Sequence, residues 1–263
     1  MYIAMQKYFF LAGLSRAGNT LFSSIMNQNP DFAVTPNSIL PDMLWRTFKL
    51  QKEMDFFTNF PDQESFDNVM LNIMPNYYSG WKEKYIMDRS SWGLPSNIEI
   101  IKKYIKNEIK IIVLVRDVVE VLASFLKLAR DNKSFFLNQR GNTVEEKCDF
   151  IVKNQIHIQL NSIKNILTPE NRELSMFIEY DDLVKTPKKI IDKVYGFLDI
   201  PKFNHRFAGL DQMEHNGIKY DDSVFGAKIH TIRVNSINKS DYKIGDLMSN
   251  DLIQKYSNMN IWR

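Results

Sequence analysis

The sequence has almost no cysteine: Cys148 is the only one among 263 residues. One cysteine cannot form a disulfide within the chain or build a cysteine-rich zinc site. A chain without disulfides suits a reducing compartment, so we expect a cytoplasmic protein. The sequence also lacks any apolar run near the roughly 18 residues that a membrane-spanning helix requires. We therefore expect no membrane span.

An excess of charge of one sign is missing as well. The chain carries 34 basic and 31 acidic side chains, for a net charge of +3. This balance gives no support to binding of nucleic acid or of a membrane surface. An apolar content of 44% is typical of a globular protein, and no linker or repeat divides the chain. We therefore expect residues 1–263 to form a single domain.

Short apolar runs alternate with amphipathic helical patterns along the chain. The patterns predict strands at 7–13, 32–35, 84–88, 110–115 and 174–180, and helices at 19–29, 96–106, 144–167 and 181–198, with another helix after Asp117. The first apolar run holds Lys7 and continues into a glycine loop, so we interpret it as a strand and not as a signal peptide. Strands that alternate with helices predict an α/β fold, a three-layer sandwich with a central parallel sheet.

The first distinctive motif is GLSRAGNT, residues 13–20, between the first strand and the first helix. It has the spacing of a phosphate-binding loop, G-x-x-x-x-G-K-[ST], but Asn19 stands where the lysine belongs. The two glycines permit a tight turn, and the start of the helix offers free N–H groups to an anion. The alternative is an ordinary strand-to-helix turn. Without the lysine that neutralises a triphosphate, Arg16 is the only cation of the loop.

The second motif is LVRDVVEVLASF, residues 114–125. Arg116 ends a central strand, where open α/β sheets bind ligands. Asp117 and Glu120 have the spacing of a helix capping box, and Ser124 follows two turns later. Taken alone, Arg116 could be a surface charge and Ser124 a small packing residue. Together with the glycine loop, they predict a ligand with two separate phosphate-like groups.

These two motifs, together with FIEYDDLVKTPKKIIDKVYGFLDIP at 177–201, resemble the sulfotransferases that use 3′-phosphoadenosine 5′-phosphosulfate (PAPS). The likeness covers most of residues 7–201. It implies the P-loop-like sulfotransferase fold, PAPS as the donor, adenosine 3′,5′-bisphosphate (PAP) as the product, and no metal ion. A triphosphate lysine is then not needed. The acceptor would be a hydroxyl or an amine of a small molecule, carbohydrate, lipid or peptide.

The resemblance also implies roles for individual residues. In this family the first motif binds the 5′-phosphosulfate, and the corresponding residues are Arg16, Ala17, Gly18, Asn19 and Thr20. Arg16 would also stabilise charge on the bridging oxygen or on the sulfuryl group. The second motif binds the 3′-phosphate, here through Arg116 and Ser124, and the late segment HTIR adds Arg233. Segments 40–82 and 202–263 would form the cap and the acceptor site.

The general base is not evident from the sequence. One branch of the family uses a histidine and another a glutamate, but the matching segments here, 87–92 and 35–38, contain neither. We predict that Arg89, which matches a family lysine, reaches the sulfuryl group. For the base we choose Asp88, then Asp42, with His230 after both.

The missing base leaves two other functions open. One is a P-loop kinase for a small molecule, which would bind ATP and Mg²⁺. The other is a non-catalytic nucleotide-binding module of the same fold. The sequence does not identify the acceptor or the oligomeric state.

Overall fold

The computed structural model describes residues 6–105, 108–212, 214–232, 237–239 and 241–263. A sheet of five strands lies at its centre. The strands are β1 (Lys7–Gly13), β2 (Phe32–Asn37), β3 (Tyr85–Arg89), β4 (Ile111–Val115) and β5 (Ser175–Glu179). All neighbouring strands are parallel, in the order β2-β3-β1-β4-β5. Helices pack around this sheet, so the predicted α/β fold with a central parallel sheet is confirmed.

Helices connect the strands and continue beyond β5. They are α1 (Asn19–Met26), α2 (Leu40–Glu53), α3 (Asp55–Asn59), α4 (Gln63–Tyr77), α5 (Pro95–Tyr104), α6 (Val118–Asp131), α7 (Val144–Ile151), α8 (His157–Ile166), α9 (Pro169–Arg172), α10 (Tyr180–Lys185), α11 (Pro187–Leu198) and α12 (Asn250–Tyr256). A small antiparallel hairpin, β6 (Glu214–His215) and β7 (Ile218–Lys219), lies after α11.

The core lies on the central strands. Every residue of β4 is fully buried, as its continuous apolar run predicts for a strand covered on both faces. The edge strand β2 extends to Asn37, two residues beyond the prediction, although Pro36 cannot donate a hydrogen bond. An edge strand tolerates proline, and the pairing with β3 shifts register between Val34 and Asn37.

Two predicted helices differ from the structure in their interiors. The sequence predicts one helix over 181–198, but α10 and α11 are separate because Pro187 forces Thr186 out of the helical conformation, with φ −135° and ψ 56°. Residues 144–167 are nearly continuous, but Val152–Ile156 forms a π-helix between α7 and α8. Such π segments are frequent at functional sites.

Candidate functional site

The sheet topology brings the two predicted motifs together. β1 and β4 are neighbours in the sheet, which continues through β3 to β2 on one side and to β5 on the other. The register pairs Gly13 with Leu114, and the N–H of Leu14 donates to the Leu114 carbonyl at 2.8 Å. Because parallel strands end at the same edge, the glycine loop and Arg116 lie in one crevice.

Both loop glycines are required by the backbone. Gly13 has φ +121°, and a Cβ there would lie 2.0 Å from the Leu114 carbonyl oxygen. Gly18 has φ +85°, and its Cβ would lie 2.8 Å from the ring of Tyr180. The loop can therefore turn in this way between β4 and Tyr180 only with glycine at both positions.

The backbone N–H groups of residues 16–20 donate to no other described residue, as is usual where a helix begins. They and the positive end of α1 form a place for an anion. The side chain of Asn19 donates to the Leu14 carbonyl at 2.8 Å, so it closes the loop. Ala17 is fully buried and packs into the hydrophobic core.

Arg16 joins the first motif to the second. Its Nε donates to Ser124 Oγ at 3.1 Å, and its Nη1 donates to the Ile229 carbonyl at 2.8 Å. The backbone of Arg16 has φ +60°, which is uncommon for a residue other than glycine. Burial lowers the pKa of Arg16, and the nearby charge of Arg116 lowers it further. Its hydrogen-bond partners among the described residues are a hydroxyl and a carbonyl, so no described carboxylate balances the positive charge of Arg16.

Arg116 is buried at the end of β4. Its guanidinium lies 4.3 Å from the ring centre of Tyr180 and donates to the Arg16 carbonyl at 3.1 Å. Nε donates to Glu120 at 2.9 Å, and Nη2 donates to the hydroxyl of Tyr242 at 3.3 Å. Three of the five N–H groups thus have partners among the residues that the structure describes, and the other two have none there.

The start of α6 follows the prediction only in part. Asp117 caps the helix by accepting from the N–H groups of Val119 and Glu120. The Glu120 side chain does not return to the cap, as a capping box requires, but pairs with Arg116. The predicted capping box is therefore wrong, because the guanidinium on the preceding strand end competes for the same carboxylate.

The motifs line one cavity of about 700 Å³. Its described lining includes four cationic side chains, Arg16, Arg89, Arg116 and Lys228, and no aspartate or glutamate. Apolar residues from four different segments complete the wall, namely Phe125, Phe136, Ile158 and Phe225. Since the whole chain has a net charge of only +3, positive charge is concentrated at this site.

Arg89 connects the end of β3 to a later segment. Its Nη1 donates to the hydroxyl of Tyr220 at 3.2 Å. The ring of Tyr220 stacks on His230 with centroids 4.0 Å apart and planes 10° from parallel. His230 Nδ1 lies 2.6 Å from Asp222 Oδ1, and both Arg89 and His230 line the cavity.

The comparisons with known proteins agree with this geometry. The family model described as a sulfotransferase domain matches residues 6–216. This chain belongs to the sulfotransferase family. Among curated proteins no relative matches the chain.

Solved structures show the same fold. The sulfotransferase domain from the curacin biosynthetic pathway is 18% identical, with a TM-score of 0.54, over 95% of this chain and 97% of that one. A sulfotransferase from Alicyclobacillus acidocaldarius is 16% identical, with a TM-score of 0.50, over 77% of this chain and 85% of that one. Retinol dehydratase, solved with retinol and PAP, is 14% identical, with a TM-score of 0.47, over 98% of this chain and 82% of that one.

The structure does not bring the two predicted bases of this sulfotransferase to the cavity. Asp88 is buried, with Oδ1 accepting from Trp92 Nε1 at 2.7 Å and Oδ2 accepting from the hydroxyl of Tyr78. Burial raises the pKa of Asp88 to about 6. Asp42 is exposed in the first turn of α2. Neither aspartate is among the lining residues.

The other predicted site residues are distributed as follows. The cavity is lined by Arg16, Gly18, Asn19, Thr20, Arg89, Arg116 and Ser124. Arg233 lies outside the described residues. The contributors that the sequence did not reveal include Lys228, Tyr180 and Asp222. Tyr180 follows β5 directly and could have been found by the same strand-end rule as Arg116, whereas Asp222 carries no local signal.

Two further features of this sulfotransferase concern metals and membranes. Within the described ranges, no group of three or more His, Cys, Asp and Glu side chains could hold a metal ion. The helices in the same ranges include none that is long and apolar enough to cross a bilayer.

Proposed function

We propose that this sulfotransferase uses PAPS as its donor and transfers the sulfuryl group to a hydroxyl or amine of an acceptor. The observation that carries the proposal is the cavity, which has four cationic side chains and no carboxylate in its described lining. A ligand with two separate anionic groups would relieve the repulsion between Arg16 and Arg116, and PAPS is such a ligand.

The 5′-phosphosulfate would bind at the glycine loop. The free N–H groups of residues 16–20 and the positive end of α1 suit a phosphate. Arg16 is held over this loop by Ser124 and the Ile229 carbonyl. Its guanidinium would stabilise the charge that develops on the leaving phosphate, which is the main electrostatic demand of such a transfer.

The 3′-phosphate would bind at Arg116 and Ser124. Arg116 keeps two N–H groups without a described partner. Ser124 accepts from Arg16 and therefore keeps its own hydroxyl hydrogen for a phosphate oxygen. From the resemblance, Arg233 would join them.

The donor, when bound, supplies an activated sulfuryl group that needs no metal ion. The chain's own task is then to align an acceptor with that group and to exclude water. The apolar wall residues Phe125, Phe136 and Ile158 favour an acceptor with an apolar body. Arg89, at the end of β3, would face the group in transfer.

Calorimetric titration with PAP, ADP and ATP, each with and without Mg²⁺, tests the proposal. We expect PAP to bind without metal. Arg116→Ala should weaken PAP binding about 10- to 100-fold, because a hydrogen bond between charged groups contributes about 1.5–3 kcal/mol. Arg46→Ala, at an exposed position on α2, is the matched control.

Other outcomes would support the alternatives. ATP binding that requires Mg²⁺, without PAP binding, would support a kinase and refute the proposal. PAP binding without any release of sulfate or transfer from PAPS would support the non-catalytic module.

A further inference from the structure

The segment 220–230 holds a histidine at the wall of the cavity. His230 is 8% exposed and lines the cavity. Both oxygens of Asp222 hold it: Oδ2 accepts from the backbone N–H of His230 at 2.9 Å, and Oδ1 lies 2.6 Å from Nδ1. The two contacts fix the position and the rotation of the imidazole ring.

This contact also determines which nitrogen carries the proton. A carboxylate has only acceptor atoms, so the short contact requires a proton on Nδ1 of His230. In the neutral ring Nε2 then has a free lone pair. Nε2 makes no hydrogen bond to any residue that the structure describes. Nε2 is therefore a proton acceptor with no described partner, and its imidazole ring lines the cavity.

The surroundings of His230 keep the ring neutral. Tyr220 stacks on one face, and the ring of Phe225 lies 6.2 Å away, edge-on. Burial lowers the pKa of His230, Asp222 raises it, and the positive charges of Arg89 and Arg16 lower it again. The net shift is downward, so at neutral pH the ring can accept a proton.

Besides the contact between Arg89 and Tyr220, two backbone carbonyls anchor the segment to its surroundings. Arg16 donates to the carbonyl of Ile229, directly before His230. Ser134 donates to the carbonyl of Gly226 at 2.9 Å. The histidine is thus tied to the glycine loop on one side and to the segment after α6 on the other.

We propose that His230 is the general base of this sulfotransferase and that Asp222 is its positioning residue. The inference rests on the proposed function. As the acceptor oxygen forms its bond to sulfur, Nε2 takes the proton of the acceptor O–H. The bond between sulfur and the bridging oxygen breaks, and its electron pair leaves on the 5′-phosphate of PAP. Asp222 stabilises the imidazolium, which later releases the proton to water.

Two kinds of acceptor distinguish a base from a structural residue. 4-Nitrophenol is largely ionised at mildly alkaline pH and needs no base, whereas 2-phenylethanol and water do. Sulfuryl transfer from labelled PAPS is measured with 4-nitrophenol, with 2-phenylethanol and with water alone. We expect His230→Gln to lower kcat about 100-fold or more for the alcohol and for water, since general base catalysis contributes about 10²–10⁴-fold. The rate with 4-nitrophenol should change much less.

The controls separate failure of this inference from failure of the proposed function. PAP binding by calorimetry should be unchanged in His230→Gln, and His157→Gln, at an exposed position on α8, should behave as the wild type. If His230→Gln binds PAP normally but loses kcat equally with every acceptor, or loses none, the assignment of His230 as the base is overturned. The proposed function would still stand. A wild-type protein that neither binds PAP nor consumes PAPS would overturn the proposed function.

Asp222→Asn tests the positioning role. The variant loses the negative charge that raises the pKa of His230. The acidic limb of the pH profile of kcat, with 2-phenylethanol or water as acceptor, should therefore move to lower pH. We also expect kcat to fall while the KM for PAPS stays the same. A purely structural role would lower activity without moving the limb, and that result would overturn the assignment of Asp222.

Discussion

Replacing Asp88 by asparagine should change how the stability of this sulfotransferase depends on pH. Asp88 is 1% exposed, and burial raises its pKa from 3.8 to about 6. Between these two values the folded protein binds more protons than the unfolded chain. The free energy of unfolding therefore falls as pH rises through this window. A shift of about two pH units corresponds to about 3 kcal/mol.

Asparagine cannot ionise, and it can still accept from Trp92 and bond to the hydroxyl of Tyr78. The difference in unfolding free energy between Asp88→Asn and the wild type should therefore increase by about 2.4 kcal/mol from pH 4 to pH 7, since most of the linkage falls in this range. Urea denaturation at four pH values measures this difference, in which all other titrating groups cancel. Asp42→Asn, at an exposed aspartate, controls for the loss of a carboxylate.

A difference that stays constant across this range would refute the reasoning, because the folded-state pKa of Asp88 would then be ordinary. The same variant tests the sequence-based choice of base. If Asp88 were the base, Asp88→Asn would lose about 100-fold or more in transfer to an alcohol. From its position behind the cavity wall, we expect near-normal activity.

Two further predictions concern the C-terminal segment and the cysteine. Gly226 has φ +67°, and a Cβ there would lie 2.0 Å from the Ser134 carbonyl oxygen. Gly226→Ala should therefore displace His230. Because a misplacement of about 1 Å can cost about 100-fold in rate, we expect kcat to fall by about that factor. PAP binding by Gly226→Ala should persist. As a control, Gly80→Ala should have no effect, because no atom lies within 4 Å of its Cβ. Wild-type activity in Gly226→Ala would contradict the anchoring of the segment 220–230. Cys148 is 1% exposed, and burial raises its pKa to about 12. A thiol reagent at pH 8 should therefore label Cys148 only after the protein unfolds. Rapid labelling of the folded protein would contradict this burial.

Much of the donor side of the site could be predicted from the sequence. The glycine loop and Arg116 each follow a strand, and the carboxyl ends of parallel strands meet at one edge of a sheet. Local spacing therefore sufficed to place Arg16 and Arg116 at the same edge of the sheet. The adjacency of β1 and β4, which brings them into one crevice, is seen in the sheet topology.

The acid–base side could not be predicted in the same way. Asp88 and Arg89 are adjacent in β3, so their side chains point to opposite sides of the sheet. Arg89 reaches the cavity, whereas Asp88 is buried against Tyr78 and Trp92. The sequence contains both residues but does not say which face of the strand meets the ligand.

By itself, the sequence determined the α/β fold, the glycine loop and the cations at the strand ends, because each depends on local spacing and on the periodicity of apolar residues. Only the tertiary structure decided that His230, held by Asp222, lines the same cavity as Arg16 and Arg89. These contacts join positions more than 130 residues apart through an irregular segment, and no local periodicity encodes where such a segment packs.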